Sequence, residues 1–319
     1  MHRRGAAFAA GLGLLGPGCN DFLVSRQDPV AVDPVRVTES FVQAPSARVD
    51  LLWVIDDTPS MEAEHAALSN ALGVFADALE EADLAWQIGV VTTDLGFDAG
   101  VLQGDPWILT PSDGADLAEL LDIAGVGLEG HEPAGGLGAA ALALSEPLRS
   151  AENRGFRRPD AALHIIIVSD GDDGSEEILG DSPASAFLDL VASESEQTGH
   201  AVTVSAIVGD RGIGCSGSGG TALPGDAYLA VAEATGGATG RICDTDLTGV
   251  AAAMGEVSVE WQVEFPLQAT PKTGSIRVSV DGTAEPDGWS IDTDPAVLVF
   301  EVPPAPYSAI VVRYTVVDA

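Results

Sequence analysis

The stretch Val49-Asp50-Leu51-Leu52-Trp53-Val54-Ile55-Asp56-Asp57-Thr58-Pro59-Ser60-Met61 decides the reading of this chain. Residues 49–55 form a nearly continuous apolar run, broken only by Asp50 at its entry, which is the pattern of a strand buried on both faces of a sheet. Residues 61–79 then carry Ala67, Leu68, Leu72, Phe75 and Leu79 at helical spacing. A doubly buried strand feeding an amphipathic helix opens an α/β fold, and the loop between them concentrates two carboxylates and two hydroxyls.

Outward from this unit the alternation continues. The pattern predicts strands over 86–91, 163–168, 201–208 and, shorter, 240–242. It predicts helices over 113–123, 136–148, 184–196, 226–235 and 246–257. The expected fold class is α/β, a doubly wound, mostly parallel sheet spanning residues 48–258. Beyond residue 258 the texture changes. Runs rich in β-branched residues at 260–267, 275–280, 296–302 and 309–317 are separated by turn signals such as Asp281-Gly282 and Pro286-Asp287-Gly288. Residues 259–319 therefore read as a small all-β module, too short for an ample core of its own and expected to pack on the preceding domain.

The chain opens with His2, Arg3 and Arg4, a short apolar stretch at 6–15, and Gly16-Pro17-Gly18-Cys19. This organisation resembles a bacterial lipoprotein signal over 1–18, although Gly16 stands where a leucine is usual and Leu15 lies one place earlier. The resemblance implies a lipid on Cys19, a membrane anchor, and a place in the bacterial cell envelope at the outer membrane or cell surface. An ordinary cleaved signal is the alternative. The apolar stretch is too short to span a bilayer. Residues 19–47, rich in proline and without clear periodicity, read as a tether. With Cys19 set aside, Cys215 and Cys243 are an even pair in a chain read as exported, and they are expected to bond to each other. Neither has companions at zinc-ligand spacing.

The 49 acidic against 14 basic residues give a formal charge of -35, which repels phosphate-rich partners, so nucleic acid is not an expected ligand. The acids are spread along the chain and read as a solvated surface.

Two acidic motifs follow predicted strands: Asp56-Asp57-Thr58-Pro59-Ser60 after 49–55, and Ser169-Asp170-Gly171-Asp172-Asp173-Gly174 after 163–168. Ligands of open α/β sheets gather at the carboxyl ends of the strands, where two motifs far apart in sequence can converge. One carboxylate and two hydroxyls on alternate residues, faced by a second carboxylate, make an all-oxygen site suited to Mg²⁺, with Ca²⁺ or Mn²⁺ as alternatives.

On these residues the chain resembles the von Willebrand factor A family, whose metal-ion-dependent adhesion site begins Asp-x-Ser-x-Ser after the first strand. Asp56, Thr58 and Ser60 match it, with threonine for one serine, and Asp170 matches the aspartate after the family's fourth strand. The resemblance covers roughly residues 48–258. It implies a non-enzymatic protein that binds a carboxylate of a protein partner through the metal, with Thr58 and Ser60 ligating directly and Asp56 and Asp170 directly or through water. The family also supplies a threonine from an intervening loop. Here the corresponding segment, 125–138, has neither threonine nor serine, and Glu132 is the candidate replacement.

Blander readings stand beside these. Asp57 reads as solvated or capping, and Ser60 as an N-cap. Asp172, Asp173, Glu176 and Glu177 read as a solvated loop, and His164 as a satisfied core histidine. Two other functions remain open: a haloacid-dehalogenase-like phosphatase with Asp56 as nucleophile, and a structural surface lipoprotein whose metal site is vestigial. The phosphatase reading is weakened by Thr58, where that family has a second aspartate, and by the position of the sole lysine, Lys272, beyond the α/β region.

Overall fold

The computed structural model describes residues 35–316, apart from 46, 47, 83, 97, 115, 116, 118 and 119. The signal at 1–18 and Cys19 lie outside the described residues.

The elements run in the order β1 (Arg36–Val42), β2 (Arg48–Ile55), α1 (Glu62–Glu81), β3 (Ala85–Thr92), α2 (Leu120–Ala124), α3 (Gly136–Leu144), β4 (Ala162–Val168), α4 (Glu176–Leu179) and α5 (Pro183–Thr198). They continue with β5 (Val202–Val208), the hairpin β6 (Cys215–Gly217) and β7 (Gly220–Ala222), α6 (Asp226–Thr235), β8 (Thr239–Arg241) and α7 (Thr248–Val257). Last come β9 (Glu264–Pro266), β10 (Arg277–Val280), β11 (Thr283–Glu285), β12 (Trp289–Thr293), β13 (Ala296–Phe300) and β14 (Ala309–Thr315).

The central sheet has the order β3-β2-β4-β5-β8 with every pair parallel. Because β2 and β4 are buried on both faces, successive residues feed two separate cores. Val49, Leu51, Trp53 and Ile55 pack with α1, α2 and α7, where the Trp53 ring meets Phe75 edge-on at 5.3 Å. Leu52 and Val54 pack on the opposite face with α3, α5 and α6. α3, Gly-Leu-Gly-Ala-Ala-Ala-Leu-Ala-Leu, is buried almost throughout, since its small side chains let it lie close against the sheet. This is the doubly wound α/β arrangement read from the sequence. The chain leaves β2 for β3 on one side and returns to place β4 on the other, so the winding reverses between β2 and β4.

Apart from the β6–β7 hairpin, the remaining strands form two antiparallel sheets, β1-β14-β10-β11 and β12-β13-β9, enclosing Phe265, Leu298, Ile310 and Val312. The tether expected over 19–47 lies outside the described residues over 19–34 and is corrected over 36–42, which pair along their whole length with β14, from Arg36 opposite Thr315 to Val42 opposite Ala309. The inward positions are Val37, Glu39 and Phe41. Glu39 is accommodated because the Tyr314 hydroxyl and the Gln268 amide donate to its carboxylate. The β module thus draws one strand from before the α/β domain. Two helices are shorter than expected. The described helix of the 113–123 region is α2, and α3 ends at Leu144, three residues before Pro147, whose ring opposes helix in the residue before it.

Cys215 and Cys243 form a disulfide, with Cα atoms 6.0 Å apart, closing a loop that contains β7, α6 and β8. Among the described residues no helix is long and apolar enough to cross a membrane.

Candidate functional site

Parallel register sets Ile55 opposite Val168, so the two acidic motifs leave the sheet at the same level, on either side of the reversal between β2 and β4. The Asp56 amide continues the ladder to the Val168 carbonyl at 2.9 Å, and Ser169 then ties the two strand ends together. Its hydroxyl donates to Asp56 Oδ2 at 2.5 Å and accepts from the Gly171 amide at 3.0 Å. Asp56 Oδ1 accepts from the Thr58 amide at 2.9 Å, which folds the loop back so that Thr58 Oγ1 lies 3.1 Å from Ser60 Oγ. His65, one turn into α1, donates from Nε2 to the Asp56 carbonyl at 2.7 Å. Asp170, at the neighbouring strand end, lies close enough to Ser60 for the serine hydroxyl to favour its charged form. The structure therefore brings Asp56, Thr58, Ser60 and Asp170 to one point, with Asp56, Thr58 and Asp170 buried and Ser60 open to solvent.

The electrostatics are those of crowded carboxylates. Asp170 is pushed up to about 6, chiefly by burial and further by the charges of Asp56, Glu64 and Glu132, against the stabilising hydroxyl of Ser60. Asp57 is likewise pushed up to about 6 by burial and by Asp94 and Asp56. The 125–138 loop reaches Asp57 through the Gly130 amide, 2.8 Å from the Asp57 carbonyl. A Cβ at 130 would come within 2.2 Å of Asp57 Oδ1, so a larger residue there would push the Asp57 side chain aside. Nearby, His131 pairs with Asp94 at 3.0 Å.

Glu132 is exposed, and its Oε2 accepts from the Ala134 amide at 3.2 Å. The buried residue of this loop that faces Gly171 is Ala134, which brings a methyl and no oxygen. Asp172, Glu176 and Glu177 are exposed, as read. Asp173 is not part of a solvated loop: it is buried, and its Oδ1 accepts from the Leu137 amide and from Ser175 Oγ, while Ser175 Oγ accepts from the Gly138 amide. Together they cap the buried start of α3. His164 is a satisfied core residue between Ser258 and Ser205, 2.7 Å from each, and burial lowers it to about 3. Lys272 lies in the β module, its amide bonded to the Thr315 carbonyl.

Two residues of this edge were not singled out from sequence. Ser169 links the strand ends. Thr93 follows β3 directly, its amide on the Ile55 carbonyl, and is fully buried with a hydroxyl that has no partner. The available signal was the pair Thr92-Thr93 just past the predicted strand 86–91, which carries no companion carboxylate at motif spacing.

Buried polar groups in folded proteins are nearly always hydrogen-bonded. Among the described residues seven buried side-chain polar atoms lack a partner, and five of them surround this edge: Asp57 Oδ1, both Glu64 oxygens, Thr93 Oγ1 and Asp173 Oδ2. No three His, Cys, Asp or Glu side chains among the described residues form a metal-ligand group by themselves. The donor set is instead two carboxylates with hydroxyls, hard oxygens that fit Mg²⁺ in kind.

No family model matches the chain, and no match was found among curated proteins. Solved structures similar to it include the proximal thread matrix protein 1 of the mussel byssus, at 12% identity and a TM-score of 0.39, covering 70% of this chain and 49% of that one. Another is the manganese-loaded TRAP protein of Plasmodium vivax, at 12% identity and a TM-score of 0.37, covering 77% of this chain and 90% of that one. The chain spans about half the length of the mussel protein.

Proposed function

We propose that this chain is an exported, non-enzymatic binding protein of the von Willebrand factor A type, anchored in the cell envelope through Cys19, that recognises a carboxylate of a protein partner through a divalent cation. The observation that carries the reading is the crowding of Asp56, Asp57 and Asp170 beside unpartnered buried oxygens at the reversal point of the sheet. Such an arrangement is costly unless positive charge is held there.

Thr58 and Ser60 are the direct hydroxyl ligands and Asp170 the direct carboxylate. Both Asp56 oxygens already accept bonds from Thr58 and Ser169, so Asp56 acts through water and fixes the loop. Glu132, held by the Ala134 amide, adds charge from the third loop and acts through water. When bound, Mg²⁺ leaves coordination positions open to a partner carboxylate and locally reverses the sign of a very acidic surface. Calorimetric titration with Mg²⁺ and Mn²⁺, paired with a phosphatase assay, tests this. Saturable metal binding without turnover is expected. Turnover would assign an enzyme instead, and absence of binding a structural role.

A further inference from the structure

A second site lies away from the sheet edge. α1 and α7 pack so that Gly255 of α7 sits against Ala78 of α1, where an added Cβ would come within 2.4 Å of the Ala78 Cβ. Both helices therefore end side by side, and their ends line a cavity of 610 Å³ together with Trp261, Pro306 and Tyr307. The partial negative charge of a helix C-terminus favours a cation, yet neither last turn carries a basic residue. Instead Glu81 and Glu256 occupy those turns, and Asp77 stands one turn before Glu81, a spacing at which like charges repel. None of the three is in an ion pair among the described residues, and no basic side chain lines the cavity.

Two of the lining residues are aromatic. Trp261 and Tyr307 meet edge to face at 5.6 Å. Tyr307 is 61% exposed and holds a φ of 60°, a left-handed conformation uncommon for a bulky residue and one that costs free energy. Exposed carboxylates and two helix ends lining one cavity with aromatic rings complement a planar cation in particular. Guanidinium can lie on a ring and present its fork to carboxylates, which ammonium does less well.

We propose that this groove binds an arginine side chain of an extended segment of a partner protein, independently of the metal at the sheet edge. The test titrates the full-length chain with a blocked tetra-arginine peptide and its tetra-lysine analogue, in chelator and at about 0.15 M salt, where diffuse attraction to the acidic surface is screened. The arginine peptide is expected to bind about tenfold more tightly than the lysine peptide. Tyr307→Gly suits the positive φ and leaves the fold intact, and it should weaken arginine binding at least about fivefold, whereas Tyr307→Phe should retain it. Glu81→Gln with Glu256→Gln should weaken it about tenfold, and the equal charge change Asp287→Asn with Asp292→Asn, at exposed positions of the β module, less than about twofold.

Equal losses in the two double variants would show attraction by net charge alone and overturn the proposal. So would lysine binding as tight as arginine binding, or unchanged binding by Tyr307→Gly. A dimer of the free chain that Tyr307→Gly dissociates would assign the groove to a second copy and likewise overturn it.

Discussion

Replacing Arg157 by methionine should destabilise the α/β domain by about 3 kcal/mol, the lower end of what breaking a buried ion network costs. Arg157 is 2% exposed and lies in the loop before β4, between Asp50 of β2 and Glu194 of α5. Its Nη1 donates to Asp50 at 3.1 Å and to the Ala161 carbonyl at 2.8 Å, and its Nε to Glu194 at 2.7 Å. Two charge-assisted bonds at roughly 1.5 to 3 kcal/mol each bracket the loss. The low end applies because neither acid is left alone: Arg158 Nε still reaches Asp50 at 2.7 Å, and Arg149 still reaches Glu194 at 2.6 Å. The pH dependence adds a second signature. Burial raises the Asp50 carboxyl, with Arg158 and Arg157 opposing, so losing Arg157 raises it further. A carboxyl raised in the folded state loses stability as pH rises above its unfolded value, so the gap between wild type and variant should narrow as pH falls from about 7 to about 5. Urea unfolding followed by circular dichroism, with unchanged m, measures both. A loss under about 1 kcal/mol, or a gap that widens in acid, would refute the reasoning.

Cys215→Ala with Cys243→Ala frees a loop whose ends are 28 residues apart and should cost about 3 to 4 kcal/mol in urea unfolding, seen equally on reduction of the wild type. His164, lowered to about 3 by burial, makes the folded chain bind fewer protons than the unfolded one between pH 3 and about 6.5. Stability from this group is therefore full above about 6.5 and falls by about 2 kcal/mol at pH 5, a slope that His164→Gln should remove from the difference between the two unfolding curves. Fatty-acid labelling of the exported chain should be lost in Cys19→Ser, and equal labelling of both would dismiss the anchor.

The parts of the fold that were legible are those whose sequence carries the physics locally. β2 and β4 stood out because strands buried on both faces need unbroken apolar runs, and the acidic motifs stood out because they follow such runs directly. β1 was hidden by Glu39, a charge on the inward face that only Tyr314 and Gln268, more than 200 residues away, make tolerable. Asp173 read as solvent-exposed for the converse reason: its acidic neighbours are exposed, and nothing local reveals that the start of α3 turns back to be capped by it. The short strands β6, β7 and β11 carry three residues each, too few for a period to show. The lack of threonine and serine over 125–138 was legible, whereas Thr93 required knowing that β3 ends beside Asp56.

The central claim is tested most directly by calorimetric Mg²⁺ titration of four full-length chains: wild type, Asp56→Asn, Asp170→Ala and Asp172→Ala, each checked for fold by circular dichroism. Asparagine is used at 56 because that side chain holds both Thr58 and Ser169, whereas Asp170→Ala removes a crowded carboxylate and should leave stability equal or higher. The account predicts saturable binding by wild type and Asp172→Ala and loss of at least about tenfold in affinity for the other two. No binding by wild type, or wild-type affinity in Asp56→Asn and Asp170→Ala, would contradict it, and loss confined to Asp172→Ala would move the cation to the exposed acidic loop.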